Sequence, residues 1–314
     1  MSKIKQVWVL AETTAALAQL CAGGRQLGEE VSAIIYGSKE EAEKAIQLGA
    51  DKIYWLGEVK EESILEDYTE TIAELLHKER PQLLLIQPSK RGKLISGRLA
   101  AVMGTSVLVD SSELIVADDN VQAKHMVYGG AAFRTEKVLT EITIATINMG
   151  VFGALPEDAN RQGEIVAVDY VEPGVKIKVI EKKKKEGTEV NLTAAKRVVG
   201  IGRGIENEED IKMIEELAGA MGAEVGCTRP IAEGVNWLPR ERYIGVSGVM
   251  LKPDLYLALG ISGQVQHMVG VDQAKVIVSV NKDKAAPIFK QSDYGLIGDI
   301  YKVLPLLIEK FKTQ

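Results

Sequence analysis

Short apolar runs alternate with helical patterns along the first hundred residues, and this alternation constrains the fold more than any other feature. The run Leu83–Ile86 has no polar residue, which is typical of a strand buried on both faces. Because strand–helix–strand units align successive strands in one direction, the pattern predicts a mostly parallel sheet flanked by helices. The predicted strands are Gln6–Leu10, Val31–Tyr36, Lys52–Leu56 and Leu83–Ile86, and the predicted helices are Thr13–Leu27, Lys39–Leu48, Tyr68–Glu79 and Arg91–Met103.

The pattern changes between Ser106 and Val179, where predicted strands follow one another without long helices. These strands form a β-rich extension of the first sheet and cover Leu114–Val116, Lys124–Tyr128, Val138–Leu139 and Ile142–Ile147. The next segment, Ile180–Val190, is the most polar of the chain and contains a run of four lysines. Such a run can bind anions, but it is more typical of a solvated linker.

The strand–helix alternation restarts after this linker and predicts a second, smaller α/β domain. Its predicted strands are Arg197–Ile201, Glu224–Cys227, Leu255–Ile261 and Val276–Val280, and its predicted helices are Glu208–Met221 and Ile300–Phe311. The fold class is therefore α/β with two domains, residues 1–190 and 191–314, as a chain of 314 residues also favours.

Composition excludes several classes of function. The formal net charge of -6 argues against nucleic acid as a partner, since phosphate binding needs a basic surface. Two cysteines and three histidines show no metal-ligand spacing and no disulfide framework, which suits a reducing compartment. No apolar run approaches the ~18 residues that span a bilayer, and the N-terminus reads as a strand rather than a signal peptide. We expect a cytoplasmic protein without membrane insertion.

Polar and glycine-rich turns follow most predicted strands of the second domain. The clusters are Gly200–Gly204, Gly245–Gly248, Gly260–His267, Asn281–Asp283 and Asp293–Asp299. Ligands of open parallel sheets bind outside the carboxyl ends of the strands, so these turns predict one site for a large ligand with phosphates and a flat polar ring.

Each residue of these turns also has a purely structural interpretation. His267 could cap a helix or pack in the core, and Arg229 could form a surface salt bridge. Ser247 could be a turn residue, while Asp283 and Asp299 could cap helices. Glycine-rich strand ends are common in α/β folds, and Gly200–Gly204 lacks the full dinucleotide spacing. Convergence on one sheet edge is therefore the stronger signal.

The sequence offers no set of catalytic residues. It contains no supported nucleophile elbow, no H-E-x-x-H motif and no Walker loop, so hydrolase and kinase functions lack support. An NAD-dependent dehydrogenase would need a dinucleotide fingerprint near the N-terminus, but the turn after Gln6–Leu10 has no glycine. We assign no catalytic residue and no metal ligand.

The whole chain resembles the α subunits of electron transfer flavoproteins. In the C-terminal third the resemblance rests on Pro253–His267, Asn281–Asp283, Ala286–Phe289 and Asp293–Asp299, in this order. In the first half, Lys90–Lys93 and Lys124–Gly130 resemble the bacterial subgroup associated with nitrogen fixation, carnitine metabolism and acyl-CoA dehydrogenase operons.

The resemblance implies a Rossmann-like C-terminal domain that binds FAD and a heterodimer with a β subunit, which the first domain contacts. It implies Arg203 and Thr228 along the phosphate and ribose, Arg229 and Ser247 near the flavin ring, and His267 facing flavin O2. Asn281 and Asp299 are implied at the adenosine end. The implied FAD-binding residues are Arg203, Thr228, Arg229, Ile244, Gly245, Val246, Ser247, Ser262, Gly263, Gln264, Val265, Gln266, His267, Asn281, Asp299 and Ile300.

The implied function is electron transfer to or from acyl-CoA dehydrogenase-type partners rather than substrate conversion. An NADH-dependent electron-bifurcating subunit is the first alternative, and a non-redox nucleotide-binding module is the second. Ring-facing groups such as Arg229, Ser247 and His267 argue against a module that binds only adenine nucleotides. The segment Ile231–Arg242 departs from the commonest family form, so partner choice and flavin potential stay open.

Overall fold

The structure is a computed structural model that describes residues 2–58, 64–118, 120–128, 131–175, 177, 179–181 and 192–313. Its chain divides into two compact units, Met1–Val127 with Ala132–Lys184, and Tyr128–Ala131 with Lys185–Gln314. Apart from Ile180 and Glu181, the predicted linker lies outside the described residues, as do Gly129 and Gly130 of one resemblance motif. The predicted boundary between residues 190 and 191 falls there too and stays a prediction.

The first unit contains a parallel sheet covered by helices on both faces. Its elements are β1 Ile4–Leu10, α1 Thr14–Leu27, β2 Gly28–Ile35, α2 Lys39–Gln47, β3 Lys52–Trp55, α3 Thr69–Glu79, β4 Leu83–Ile86, α4 Lys90–Met103, β5 Val107–Ser111, β6 Glu113–Ala117, β7 Asn120–Val127, β8 Ala132–Glu136, β9 Thr143–Ile147 and β10 Glu164–Ala167. Every pairing in the sheet β10-β3-β2-β1-β4-β9-β5 is parallel. Side chains of α1 and α2 pack on one face and those of α3 and α4 on the other, which confirms the predicted architecture.

The prediction for the segment after α4 is only partly right. The predicted strand Ile142–Ile147 corresponds to β9 and joins the first sheet, as do β5 and β10, which the sequence did not predict. The predicted strands Leu114–Val116 and Lys124–Tyr128 correspond to β6 and β7, which form a separate antiparallel sheet with the unpredicted β8. The predicted strand Val138–Leu139 is wrong: it is a loop in which Val138 is buried and Leu139 is exposed. The apolar pair resembled a strand in sequence, but it has no strand neighbour among the described residues.

The second unit is built on a parallel sheet of its own. Its elements are β11 Arg197–Ile201, α5 Ile211–Met221, β12 Glu224–Cys227, β13 Leu255–Leu259, α6 Val265–Met268, β14 Ile277–Asn281, β15 Tyr294–Ile297 and α7 Ile300–Lys312. The strand order is β12-β11-β13-β14-β15, and every pairing is parallel. Chain order therefore reverses between β11 and β13. This order is one of the two common arrangements of doubly wound sheets.

The two faces of the second sheet are covered differently. Apolar residues of α5 and α7, such as Ile214 and Leu304, fill one face. The other face is covered by the short α6, which contributes Met268, and by further segments that contribute Leu251 and Ile288. Backbone segments on this face therefore lie close to the strand ends, and their side chains can reach the sheet edge.

Candidate functional site

The carboxyl ends of adjacent strands in the second sheet surround one cavity of about 620 Å³. Gly202–Gly204 follows β11, Gly260–Ser262 follows β13, and Asn281 ends β14. The cavity lies at the carboxyl ends of β11 and β13, between which the strand order reverses. In doubly wound sheets this switch point is where a ligand crevice forms, because the two connections leave the edge in opposite directions.

Ten of the sixteen residues predicted to bind the cofactor line this cavity. They are Arg203, Thr228, Arg229, Val246, Ser247, Ser262, Gln264, Gln266, His267 and Asn281. The cavity lining does not include the other six, which are Ile244, Gly245, Gly263, Val265, Asp299 and Ile300. The structure thus brings together most of the predicted set at one cavity.

Three of the residues outside the lining, Asp299, Ile300 and Gly263, have structural roles. The Asp299 side chain caps α7 by accepting a hydrogen bond from the Tyr301 amide at 2.9 Å, as its structural interpretation anticipated. Ile300 is buried in the core below the cavity. Gly263 has a φ of +86°, a conformation that L side chains rarely adopt, and a Cβ there would overlap the backbone of Ile288.

Glycines in the loops that follow β11 and β13 allow these two loops to pack against each other. A Cβ on Gly202 would lie 2.5 Å from the carbonyl oxygen of Gly260, and one on Gly204 would lie 2.5 Å from the Gly260 Cα. The Gly204 amide donates to the Gly260 carbonyl at 3.0 Å. These glycines therefore bring the loops after β11 and β13 together, and close approach to a ligand is not needed to explain them.

Two arginines line the cavity and differ in their ion-pair partners. Arg203 has no ion-pair partner among the described residues. The Arg229 side chain, about two thirds exposed, donates through Nε to Glu233 at 2.7 Å, and Glu233 also pairs with Arg240 at 3.1 Å. The hydrogen bond and charge of Glu233 raise the Arg229 pKa. No carboxylate among the described residues therefore pairs with Arg203, whereas one carboxylate is shared by Arg229 and Arg240.

Hydroxyl groups form a second class of contacts around the cavity. Thr228 Oγ1 is buried and has no hydrogen-bond partner in the described part of the chain. Tyr243 and Ser247 share a hydrogen bond of 3.1 Å between their hydroxyl oxygens. An orphaned buried hydroxyl costs free energy unless a ligand completes it, so Thr228 points to a polar partner in the cavity.

His267 is buried at the cavity wall, with 7% of its surface exposed. Its Nδ1 lies 3.0 Å from the carbonyl oxygen of Ile244, and its Nε2 lies 2.7 Å from the hydroxyl oxygen of Tyr256. Burial lowers the pKa of His267 to about 4, although the hydrogen bond to Ile244 opposes the shift. In this arrangement both ring nitrogens bond to protein atoms, and the ring is neutral near pH 7.

Several lining residues were absent from the predicted set. They are Gly202, Gly204, Pro230, Tyr243, Gly260, Ile261, Asp283, Ala286 and Pro287. Five of them belong to the turns that the sequence singles out, and Ala286 and Pro287 belong to a motif that carries the family resemblance. Pro230 and Tyr243 belong to neither. Tyr243 lies between the 3-10 turn Arg240–Arg242 and the turn around Ser247, so no periodicity marks it.

The equivalent edge of the first sheet is arranged differently. A cavity of about 430 Å³ there is lined by Glu12 and Arg91 among others. The Glu12 carboxylate accepts hydrogen bonds from Ser89, the N-cap of α4, and from Arg91 at 3.2 Å. Carboxylates of the chain itself therefore pair with the cations there, Glu12 with Arg91 and Glu157 with Lys44.

Among the residues that the structure describes, no three metal-ligating side chains come together, and no helix is long and apolar enough to cross a membrane.

Comparisons with known proteins agree along the chain. The family model described as "Electron transfer flavoprotein domain" matches residues 7–173, and "Electron transfer flavoprotein FAD-binding domain" matches residues 191–272. The chain is 45% identical over 310 residues to "Putative electron transfer flavoprotein subunit YdiR" of Escherichia coli (strain K12), covering 99% of both chains. It is 40% identical over 308 residues to "Protein FixB" of Escherichia coli O157:H7 and of Shigella flexneri, covering 98% of both chains in each case.

Proposed function

The chain belongs to the electron transfer flavoprotein family as an α-type subunit with an FAD-binding domain, and on this premise we propose that it exchanges electrons with acyl-CoA dehydrogenase-type flavoenzymes through FAD held at the edge of its second sheet. The observation that carries the proposal is the convergence of Arg203, Thr228, Ser247 and Asn281 around one cavity at a strand-order switch. Nucleotide cofactors bind at such switch points in doubly wound sheets.

The residues present fit FAD. The dinucleotide carries a pyrophosphate, and Arg203 supplies a cation without an ion-pair partner among the described residues. The orphaned hydroxyl of Thr228 supplies a hydrogen bond that the protein leaves unmade. We assign Arg203 and Thr228 to the phosphate and ribose portion, and Asn281 to the adenosine end. Asp299 is assigned a capping role instead, because it lies outside the cavity lining.

The groups assigned to the flavin ring act by electrostatics. FAD, when bound, supplies the reversible uptake and release of electrons. Arg229 contributes positive charge, which favours added negative charge nearby, and Glu233 moderates that charge. Ser247 offers a hydroxyl whose orientation is set by its bond with Tyr243.

Partners follow from family membership and from the resemblance. An α-type subunit implies a heterodimer with a β subunit. The dehydrogenase partner and a cytoplasmic location are proposals, supported by the subgroup motifs in the first half and by two cysteines that are unpaired and buried.

The test is to co-express the chain with its β subunit and to quantify FAD released per heterodimer on denaturation. One FAD on this chain, reducible by an acyl-CoA dehydrogenase with its substrate, is the expected result. The R203Q variant should lose FAD affinity, whereas K302Q removes an equal charge on α7, outside the cavity lining, and should not.

Other outcomes would redirect the proposal. Two FADs per heterodimer, one reducible by NADH, would indicate a bifurcating subunit. A folded heterodimer that takes up no FAD, even when FAD is added, would refute the assignment.

A further inference from the structure

A buried tyrosine lies directly behind the cavity wall. Tyr256 is in β13, has no exposed surface, and places its hydroxyl oxygen 2.7 Å from His267 Nε2. The cluster around it is otherwise apolar, with Ile244, Met268 and Val271 among its members. A phenylalanine would bury the same ring without desolvating a hydroxyl, so packing alone does not explain a tyrosine here.

Hydrogen-bond chemistry fixes the state of the histidine in this arrangement. The carbonyl oxygen of Ile244 can only accept, so Nδ1 of His267 carries the ring hydrogen and donates it. Neutral Nε2 then has a lone pair and accepts from the hydroxyl of Tyr256. Both donors and both acceptors are satisfied, which makes the arrangement stable despite its burial.

The neighbouring strand is shaped to admit the tyrosine. Gly200 lies on β11, next to β13, and a Cβ at that position would overlap the ring and hydroxyl of Tyr256. Glycine is otherwise unfavourable in a strand interior, because it costs backbone entropy and contributes no side chain to packing. A close approach by another side chain is the usual reason for it, and here that side chain is Tyr256.

The pair connects the two segments that carry much of the cavity wall. Ile244 immediately precedes the turn with Ser247, and His267 ends the segment that begins at Ser262. The segments also meet directly, since the Val246 amide donates to the Gln266 carbonyl at 2.9 Å. His267 therefore joins both segments to β13 through Tyr256.

We propose that Tyr256 is a positioning residue of the cofactor site, which holds His267 and the Ser247 turn in place against FAD through its hydroxyl group. It need not touch the cofactor itself. The inference rests on the FAD placement proposed above.

The experiment compares Y256F with the wild-type heterodimer carrying FAD. Loss of the hydroxyl leaves Nε2 without its donor, so the ¹⁵N resonance of His267, assigned with H267Q, should shift. The dissociation constant for FAD should rise about fivefold, the equivalent of one net hydrogen bond. The FAD midpoint potential should fall, because the donors that face the reduced cofactor are less well held.

Y54F is the matched control. Tyr54 is also a buried strand tyrosine, but it lies in the first unit and outside the cavity lining. It should leave the FAD dissociation constant and potential unchanged. If Y256F and Y54F behave alike, so that stability falls but affinity and potential do not change, the tyrosine is only structural and the proposal is overturned.

A second pair of variants keeps the test decisive if Y256F does not fold. G200A retains the hydroxyl but displaces it, and should raise the FAD dissociation constant. G219A places the same methyl group in α5, where a Cβ meets no neighbour within 4 Å, and should not. If the wild-type protein binds no FAD, both the proposed function and the positioning role are refuted. If Y256F and G200A both bind FAD with normal affinity, only the positioning role is refuted.

Discussion

We predict that the free energy of unfolding depends on pH through the titration of one buried residue, His267. His267 has its pKa lowered from 6.5 to about 4 by burial. The folded protein therefore binds fewer protons at this site than the unfolded chain between those two values. The contribution of the buried neutral His267 to the free energy of unfolding is fully present above about pH 6.5 and is lost as the pH falls towards about 4. At about 1.4 kcal/mol per pH unit, the difference corresponds to about 3 kcal/mol of unfolding free energy.

The assay must separate His267 from the carboxyl groups that titrate in the same range. We would measure urea denaturation of wild type and H267Q from pH 7 to pH 4, at fixed protein and FAD concentrations because ligands and partners shift apparent stability. The carboxyl contributions are common to both proteins and cancel in the difference. Trp237 is the only tryptophan of the second unit and reports its unfolding.

The expected result is a stability difference between wild type and H267Q that shrinks by about 3 kcal/mol between pH 7 and pH 4. A parallel titration by NMR should place the His267 pKa near 4 in the folded protein. A difference that stays constant across this range, or a folded-state pKa near 6.5, would refute the reasoning that the ring is buried as the neutral form.

Three more predictions concern single residues around the cavity. T228V should lower FAD affinity about fivefold in an FAD titration and leave folding stability in denaturation unchanged or raised, because the hydroxyl has no partner without a ligand. An FAD affinity equal to that of the wild type would contradict this prediction. E233Q should raise the FAD midpoint potential, less so at high salt, because Arg229 loses its neutralising carboxylate; a salt-independent or absent change would contradict it. G263A should destabilise the fold by more than about 1 kcal/mol in urea denaturation, because positive φ and overlap with Ile288 act together; G219A is its control.

The spacing of apolar residues predicted the regular elements, because an element with a buried face needs apolar residues at regular positions. Leu83–Ile86 and Arg197–Ile201 were predicted with the bounds they have in the structure. Four strands were missed, β5, β8, β10 and β15, and most of their residues are exposed or only partly buried. The residues of β15 are all exposed at the sheet edge, and its flanking Asp293 and internal Gly295 look like a turn. The four residues of β10 are only partly buried, so a short edge strand leaves almost no periodic signal.

The site was predictable as a location rather than as a list of contacts. Turns after parallel strands must meet at one edge, so Arg203, Ser262 and Asn281 could be grouped before the structure was known. What each side chain does at that edge depends on neighbours distant in sequence. The capping role of Asp299 is local and was among the stated interpretations, whereas the bond from Tyr256 to His267 depends on how α6 packs over β13.

The polar groups of the cavity are of the kind that bind and orient a cofactor. A general base needs a free lone pair within reach of substrate. The second unit contains one histidine, and in the structure both of its ring nitrogens are bonded to protein atoms. The other polar lining groups include the guanidinium of Arg203, the hydroxyl of Thr228 and the amide of Gln266. The Asp283 carboxylate also lines the cavity and accepts a hydrogen bond from the Ala285 amide at 2.9 Å. Electron exchange requires that kind of preorganised field and needs no acid–base pair from the protein. In the role proposed for it, Tyr256 donates its hydroxyl hydrogen to Nε2 of His267 and holds the ring in place, while burial keeps the ring neutral.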